Sequence, residues 1–322
     1  MISIAFQTDK RLSDYGPLAA AAEAYGFTAV SVYNDMLYQP AWLPLLEIAR
    51  HTSRVQLGPA AANPFTCHPI TIAGNMALLD EAANGRAYLG MARGAWLDFV
   101  GLHPAQPIAA LKDAIGCIRH LWRQSTEPFE SDHFPLMGGD TFRWPLARAD
   151  IPIMLGSWGL RTIRACLDQV QAIKLGGTAN PDVVRWLRGI VGEAAEIVVG
   201  AVAVVDEDGP AARQLARREV ALYLPVVAEL DKTLSIEPEL LYRLKQAAAN
   251  YDFEQATAYI SDELLQKFAF AGTPTQIASQ TMALLEAGAG RVEWGTPHGL
   301  TTTSGVRLLG EKVLPACRSV IV

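Results

Sequence analysis

The chain has 322 residues, half of them hydrophobic, and 27 Lys and Arg against 33 Asp and Glu give a formal net charge of −6. Dispersed acids without a basic stripe argue against a nucleic-acid partner. The longest apolar run, Ile197–Val205 broken by Gly200, falls far short of the roughly 20 residues a membrane-spanning helix needs, so no membrane partner is expected.

From the first residue the chain alternates short β-like runs with helical patterns. Ile2–Phe6 reads as a strand that reaches Asp9-Lys10-Arg11 without a basic leader, which predicts a cytoplasmic protein. Leu12–Tyr25 reads as a helix stopped by Gly26, Thr28–Tyr33 as a second strand, and Leu43–His51 as a second helix. A third strand over Arg54–Leu57 closes at Gly58-Pro59, and a helix over Ile70–Ala82 leads to a fourth strand, Arg86–Met91. There follow a helix at Pro107–Arg123, a strand at Ile151–Leu155, a helix at Leu160–Leu167 and a strand at Ala172–Leu175. Next come a helix at Pro181–Val191, a β-branched strand at Ile197–Val205 and a helix at Thr275–Ala287. A strand at Arg291–Trp294 and a helix near Gly305–Leu314 end the series.

About eight strand–helix units in one chain of this length predict a single α/β domain over residues 1–322. A closed TIM-type (β/α)8 barrel is favoured over a doubly wound sheet. Two stretches break the rhythm: residues 127–150, rich in Pro, Gly, Phe and Trp, and residues 222–271, which add helical sequence. In a barrel these insertions in the βα loops lie on the active-site face and read either as lids or as decoration and dimer surface.

Barrel chemistry sits at the carboxyl ends of strands. Here those ends carry Tyr33-Asn34-Asp35, Gly58–Asn63, Gly90–Trp96, Gly156-Ser157-Trp158-Gly159, Gly176-Gly177-Thr178 and Trp294–Gly299. Together they describe a pocket with backbone amides on several sides. In the turn after the fifth strand, Gly156 and Gly159 allow close backbone approach, and a helix beginning near Leu160 points its free amides at the same spot, as a phosphate requires. Ser157 adds a hydroxyl, and Arg161 supplies a charge or is merely a solvated helix residue. The four cysteines at 67, 117, 166 and 317 and the six histidines at 51, 68, 103, 120, 133 and 298 lack metal-ligand spacing, so no metal site is expected. Asp80-Glu81 reads as a cap or ion-pair partner rather than an acid/base pair.

The run Arg54–Pro64, followed by His68-Pro69, Leu79-Asp80-Glu81, Gly85-Arg86 and Leu89-Gly90, resembles the third and fourth βα units of luciferase-like oxidoreductases. Within that superfamily it is similar to the methylenetetrahydromethanopterin reductase branch, which uses the deazaflavin coenzyme F420. Gly272-Thr273-Pro274 and Trp294–Gly299 carry the likeness towards the C-terminus. The resemblance implies hydride transfer between F420 and a small or medium organic substrate, in a homodimer. It places a cis peptide at Ala60–Ala61 behind the ring, with Asn63 in the same loop. It sets Asp35 beside the cofactor, and gives Gly156, Ser157, Trp158, Gly159, Gly176 and Gly177 to the cofactor's side chain and phosphate. Asp35 then tunes or orients the cofactor, its other reading being a loop cap or partner of an arginine. Gln7, Trp96 and His298 are candidates for substrate contact, and His298 is the titratable candidate for proton transfer.

Two positions depart from relatives. Deazaflavin-dependent sugar-phosphate dehydrogenases carry a His after the acidic residue where this chain has Met36, which takes no proton, and the reductase branch favours a Glu where this chain has Gln7, which does not titrate. Two alternatives stay open: an FMN-dependent monooxygenase, in which reduced flavin activates oxygen as a 5-carbon deazaflavin scarcely does, and a non-catalytic flavin-binding protein.

Overall fold

The computed structural model describes residues 1–318. These form nine strands: β1 Ile2–Phe6, β2 Ala29–Tyr33, β3 Gln56–Ala60, β4 Leu89–Ala92, β5 Ile153–Gly156, β6 Ala172–Gly176, β7 Glu196–Val205, β8 Ala269–Gly272 and β9 Arg291–Gly299. They gather into two compact units, one of Phe6–Glu23 and Thr28–Ile173, the other of Met1–Ala5, Ala24–Phe27 and the described part of the chain from Lys174 onward.

In the first unit β2, β3, β4 and β5 lie side by side and parallel. Ala29 pairs with Gln56 and Tyr33 with Ala60, while Leu89 pairs with Ile153 and Ala92 with Gly156. Between them, Tyr88 N donates to Leu57 O and Ala62 N to Gly90 O, each at 2.9 Å. Parallel neighbours need a crossover, which the helices Trp42–His51, Pro69–Ala82 and Pro107–Trp122 supply. Two glycines let these strands approach. A Cβ on Gly58 would lie 2.1 Å from Tyr88 O, and one on Gly90 would lie 2.1 Å from Pro59 O.

Two buried carboxylates fasten this unit. Asp80 accepts from Arg148 Nε at 2.8 Å, from Arg148 Nη2 at 2.7 Å and from Ala87 N at 3.1 Å, the ion-pair role its sequence position suggests. The insertion 127–150, which contains no helix or strand beyond one isolated Phe129–Leu136 bridge, is thereby tied to the helix before β4. Arg86 serves the fold too, donating to Val55 O at 2.7 Å and Thr52 O at 2.9 Å.

Glu23 accepts from Ser53 N at 3.0 Å, Arg54 N at 2.5 Å, Val55 N at 2.8 Å and the Ser53 hydroxyl at 3.2 Å. Burial by itself raises the pKa of such a carboxyl. The backbone donors of Val55, Arg54 and Ser53, with the Ser53 hydroxyl, outweigh it and hold the group below its ordinary value. A depressed folded-state pKa gives stability that is present above the unfolded value of 4.5 and is lost as pH falls through the folded one. Glu23→Gln replaces one acceptor by a donor facing donors, so it should cost about 2–3 kcal/mol at pH 7. The difference between the two proteins should shrink as the medium is acidified below the ordinary carboxyl range. Urea denaturation of both at neutral and acid pH checks this, and a gap constant with pH would contradict it.

In the second unit β1 pairs with β9, Ile2 opposite Val292 and Ile4 opposite Trp294, so the first and last strands of the series are neighbours as a closed barrel requires. β9 also pairs with β7, and β8 pairs with the end of β7, Val202 opposite Ala269. The last strand runs five residues beyond the expected Trp294. A register shift between Val202 and Val204 lets pairing resume at Val204–His298 past Gly295 and the cis Thr296–Pro297 bond. Trp294 packs edge-on against Phe27 with ring centroids 5.6 Å apart, and its Nε1 donates to Thr281 in the helix Pro274–Glu286 at 3.2 Å. Because strand side chains alternate, Glu293 points to the opposite face. There it is fully buried, pairs with Lys174 of β6 and accepts from the Ser3 hydroxyl at 3.5 Å.

The insertion 222–271 holds the helices Leu224–Leu230, Pro238–Ala249, Phe253–Tyr259 and Asp262–Phe268, and its end forms the unforeseen β8. The helix Gly209–Val220 was also unforeseen, since its buried face offers only Gly209, Ala212, Ala216 and Val220 to a hydrophobic pattern.

Among the described residues no helix is long and apolar enough to cross a membrane, and no group of three His, Cys, Asp or Glu side chains is placed to hold a metal. Burial pushes the Cys117, Cys166 and Cys317 thiols up to about 11.

Candidate active site

The loop after β1 is pinned by its own neighbours. Tyr15, fully buried, donates its hydroxyl to Gln7 O at 3.1 Å, and Lys10 Nζ reaches the same carbonyl at 3.3 Å. Burial raises the Tyr15 pKa, so the phenol stays a donor at neutral pH. The Gln7 side chain is oriented at both ends: Oε1 accepts from Thr8 N at 2.8 Å, and Nε2 donates to Asp35 Oδ2 at 3.0 Å. Among the described residues no donor bonds to the other Asp35 oxygen, and the residue is exposed. Gln39 N donates to Thr8 O at 3.1 Å, so the β1 and β2 loops form one frame.

Asn34 carries that frame to β3. Its Oδ1 accepts from Ala41 N at 3.1 Å and its Nδ2 donates to Ala61 O at 3.4 Å. Asn34 had no role assigned from the sequence, although an Asn beside a strand-end turn is a usual backbone brace. The Ala60–Ala61 peptide is cis, as the family resemblance implies. Asn63 is buried, and its Oδ1 accepts from Phe65 N at 3.1 Å and Thr66 N at 3.0 Å. Its amide also stands 3.0 Å from where a Gly94 Cβ would be. This side chain builds the loop. Trp96, at the start of a short turn with φ +51°, is 56% exposed.

Glycines in this unit divide into two kinds. Gly58 and Gly90 have no room for a side chain, whereas a Cβ on Gly156 or Gly159 would meet nothing nearer than 3.4 Å. Gly159 has an ordinary φ of −79°, so the fold does not demand a glycine there. Ser157 Oγ accepts from Gly159 N at 3.2 Å and shapes the turn, with Trp158 half-buried between them.

In the other unit Gly176 has nothing within 4 Å of a Cβ position, while the Gly177 position is filled. A Cβ there would stand 3.0 Å from Val227 and 3.1 Å from the Tyr223 ring, and φ is +79°. Gly177 is therefore glycine to accommodate the insertion, which leaves its backbone for the cofactor contact that the resemblance implies. The insertion is fastened here by Asn180, which donates to Asp231 Oδ2 and Thr233 Oγ1, both at 2.9 Å, and accepts from Lys267 Nζ at 2.9 Å. His298 belongs to the same unit. It lies within β9 rather than in a loop, is fully buried, and its Nε2 sits 3.0 Å from Ala5 O, so that nitrogen carries the proton. Holding β1 is a structural task and leaves no exposed acid.

Comparison with known proteins places these loops in context. The description of the luciferase-like monooxygenase family matches residues 3–291. The chain belongs to that family. Among relatives, the 5,10-methylenetetrahydromethanopterin reductase of Methanolobus tindarius is 23% identical over 309 residues, covering 92% of this chain and 94% of that one. Among solved structures, the coenzyme F420 dependent tetrahydromethanopterin reductase from Methanopyrus kandleri superposes with a TM-score of 0.88 at 22% identity, over 98% of each chain. An F420-dependent secondary alcohol dehydrogenase, solved with an F420–acetone adduct, superposes with a TM-score of 0.77 at 18% identity, over 99% of each. The fold is that of this luciferase-like family, an α/β TIM-type barrel with inserted loops.

Proposed function

We propose that this luciferase-like protein is an F420-dependent oxidoreductase that transfers hydride to or from a small or medium organic substrate. The observation that carries the reading is the Gln7–Asp35 pair at the strand ends, an exposed carboxylate with one oxygen held by a side chain that is itself fixed. Full-length similarity to a methylenetetrahydromethanopterin reductase and to the fold of two F420-dependent enzymes supports F420 over FMN. The residues present suit such a group: in the first unit a Cβ on Gly156 or Gly159 would meet only ordinary contacts, in the other unit Gly176 faces open space, and backbone amides at such turns bind phosphate well.

When bound, F420 supplies a carbon at position 5 that gives or accepts hydride. The protein contributes orientation and electrostatics. Asp35 accepts a hydrogen bond from the cofactor or substrate on its unengaged oxygen, while Gln7 holds the other and keeps the carboxylate from turning. Asn34 and Asn63 keep the β2 and β3 loops in place around the Ala60–Ala61 turn. Trp96 offers an exposed ring to substrate. His298 holds β1 through Ala5 O instead of moving a proton. The active species is proposed to be a homodimer.

Titrating the purified protein with F420 and with FMN, each followed by its own fluorescence, tests the cofactor. F420 is expected to bind at least tenfold more tightly than FMN, and the opposite order would favour a flavin monooxygenase. Tyr15→Phe, which leaves the Gln7 carbonyl to Lys10 alone, should weaken F420 binding about threefold to tenfold while leaving the fold intact, since one hydrogen bond contributes about 1 kcal/mol. Unchanged affinity would show that the β1 loop needs no brace.

A further inference from the structure

A pocket of about 440 Å³ lies in the first unit, between the residues after the β3 turn and the first insertion. Its walls include Pro64, Phe65, Pro104 and Phe134, and its hydrogen-bonding side chains are Gln106 and His133. No charged carboxylate, lysine or arginine lines it. The depression is open to solvent, and its wall is mostly apolar with a few polar groups, the chemical pattern of small-molecule sites.

The polar corner is built rather than incidental. His133 Nδ1 is 2.8 Å from Asp113 Oδ2 on the helix Pro107–Trp122. The same carboxylate oxygen accepts from the Ser131 hydroxyl at 2.9 Å, and Ser131 Oγ accepts in turn from His133 N at 3.1 Å and Phe134 N at 3.0 Å. The turn 131–134 is thus locked to the helix. Phe134 is braced on its far side by His68, edge-on with ring centroids 5.4 Å apart. A carboxylate on Nδ1 makes that nitrogen the donor, which leaves Nε2 of the neutral ring as a hydrogen-bond acceptor.

We propose that this pocket binds a neutral ring compound carrying one hydroxyl, its ring against Phe65 and Phe134 and its hydroxyl donating to His133 Nε2. The rings and prolines supply flat apolar faces, the uncharged lining excludes an ionic ligand, and the Asp113-fixed imidazole selects a donor over an acceptor.

2-Naphthol, with 2-methoxynaphthalene as the analogue that cannot donate, tests this on the full chain without cofactor, so the outcome is independent of the F420 reading. In fluorescence titrations the naphthol should bind saturably and at least tenfold more tightly than its methyl ether. That preference should fall to threefold or less in His133→Phe and be partly lost in Asp113→Asn, whereas Phe134→Ala should weaken both probes about tenfold. A measurement made on the wild type is its imidazole NMR, where the His133 signal, assigned by its loss in His133→Phe, should move on adding the naphthol. Equal affinity for the two probes, a preference that survives His133→Phe, or a His133 signal unmoved at saturation would overturn the proposal.

Discussion

Lys174→Met should destabilise the protein by about 3–5 kcal/mol, because it leaves the Glu293 carboxylate fully buried without its cation. The double variant Lys174→Met/Glu293→Leu should recover most of that loss. Taking two charges out of water costs several kcal/mol per ion, and their attraction repays it only in part, so well-packed apolar groups of similar volume are often as stable or more so. Gly200 borders the Glu293 side chain, and a Cβ there would lie 3.3 Å from it. Urea unfolding of wild type, both single variants and the double variant gives the coupling directly. A double variant less stable than Lys174→Met alone would mean that the Ser3 and backbone surroundings need a carboxylate for reasons other than the ion pair.

The second large effect is expected on cofactor affinity rather than stability. Gly176→Val places a side chain in open space and Gly159→Val one whose Cβ meets Thr162 Oγ1 at an ordinary 3.4 Å, both at backbone angles that tolerate them, so both should fold. If F420 lies against these turns, each should weaken its binding at least a hundredfold, about 2.7 kcal/mol. Ser157→Ala should weaken binding roughly tenfold, through loss of a hydroxyl that shapes the turn at Gly159 N. Cys67→Ser, in the loop after β3 and with a thiol pKa raised by burial, should change affinity little. F420 titration beside thermal unfolding of all four separates the outcomes, and undiminished affinity in a folded Gly159→Val protein would put the clamp elsewhere.

Much of the barrel was legible because parallel strands read as apolar runs and helices stop at glycine. The β1 and β9 assignment needed nothing more than the alternation Ile2–Phe6 and the run at Arg291–Trp294. What the pattern hid was settled by distant partners. β9 reaches Gly299 because β7 pairs with it past a register shift, which no local signal at Gly295 or Pro297 conveys, and His298 became a buried residue for the same reason. β8 is only four residues long, Ala269–Gly272, and has meaning only beside Val202–Val205. The site divided similarly. Strand-end glycines and Asp35 are visible in one dimension, but whether a glycine faces empty space, as at 176, or a tyrosine ring, as at 177, depends on an insertion about fifty residues away that no spacing rule reaches.

The crowded glycines of β3 and β4 also constrain anyone who would redesign this enzyme. A randomised library at the barrel mouth should keep positions 58 and 90 as glycine codons, because even alanine would set a methyl group 2.1 Å from a neighbouring carbonyl oxygen. Positions 156, 159 and 176 carry no such penalty in the folded chain, so variants there will survive selection for expression while failing selection for turnover. Screening the two properties separately would then map ligand contact directly, with glycine itself serving as the reporter.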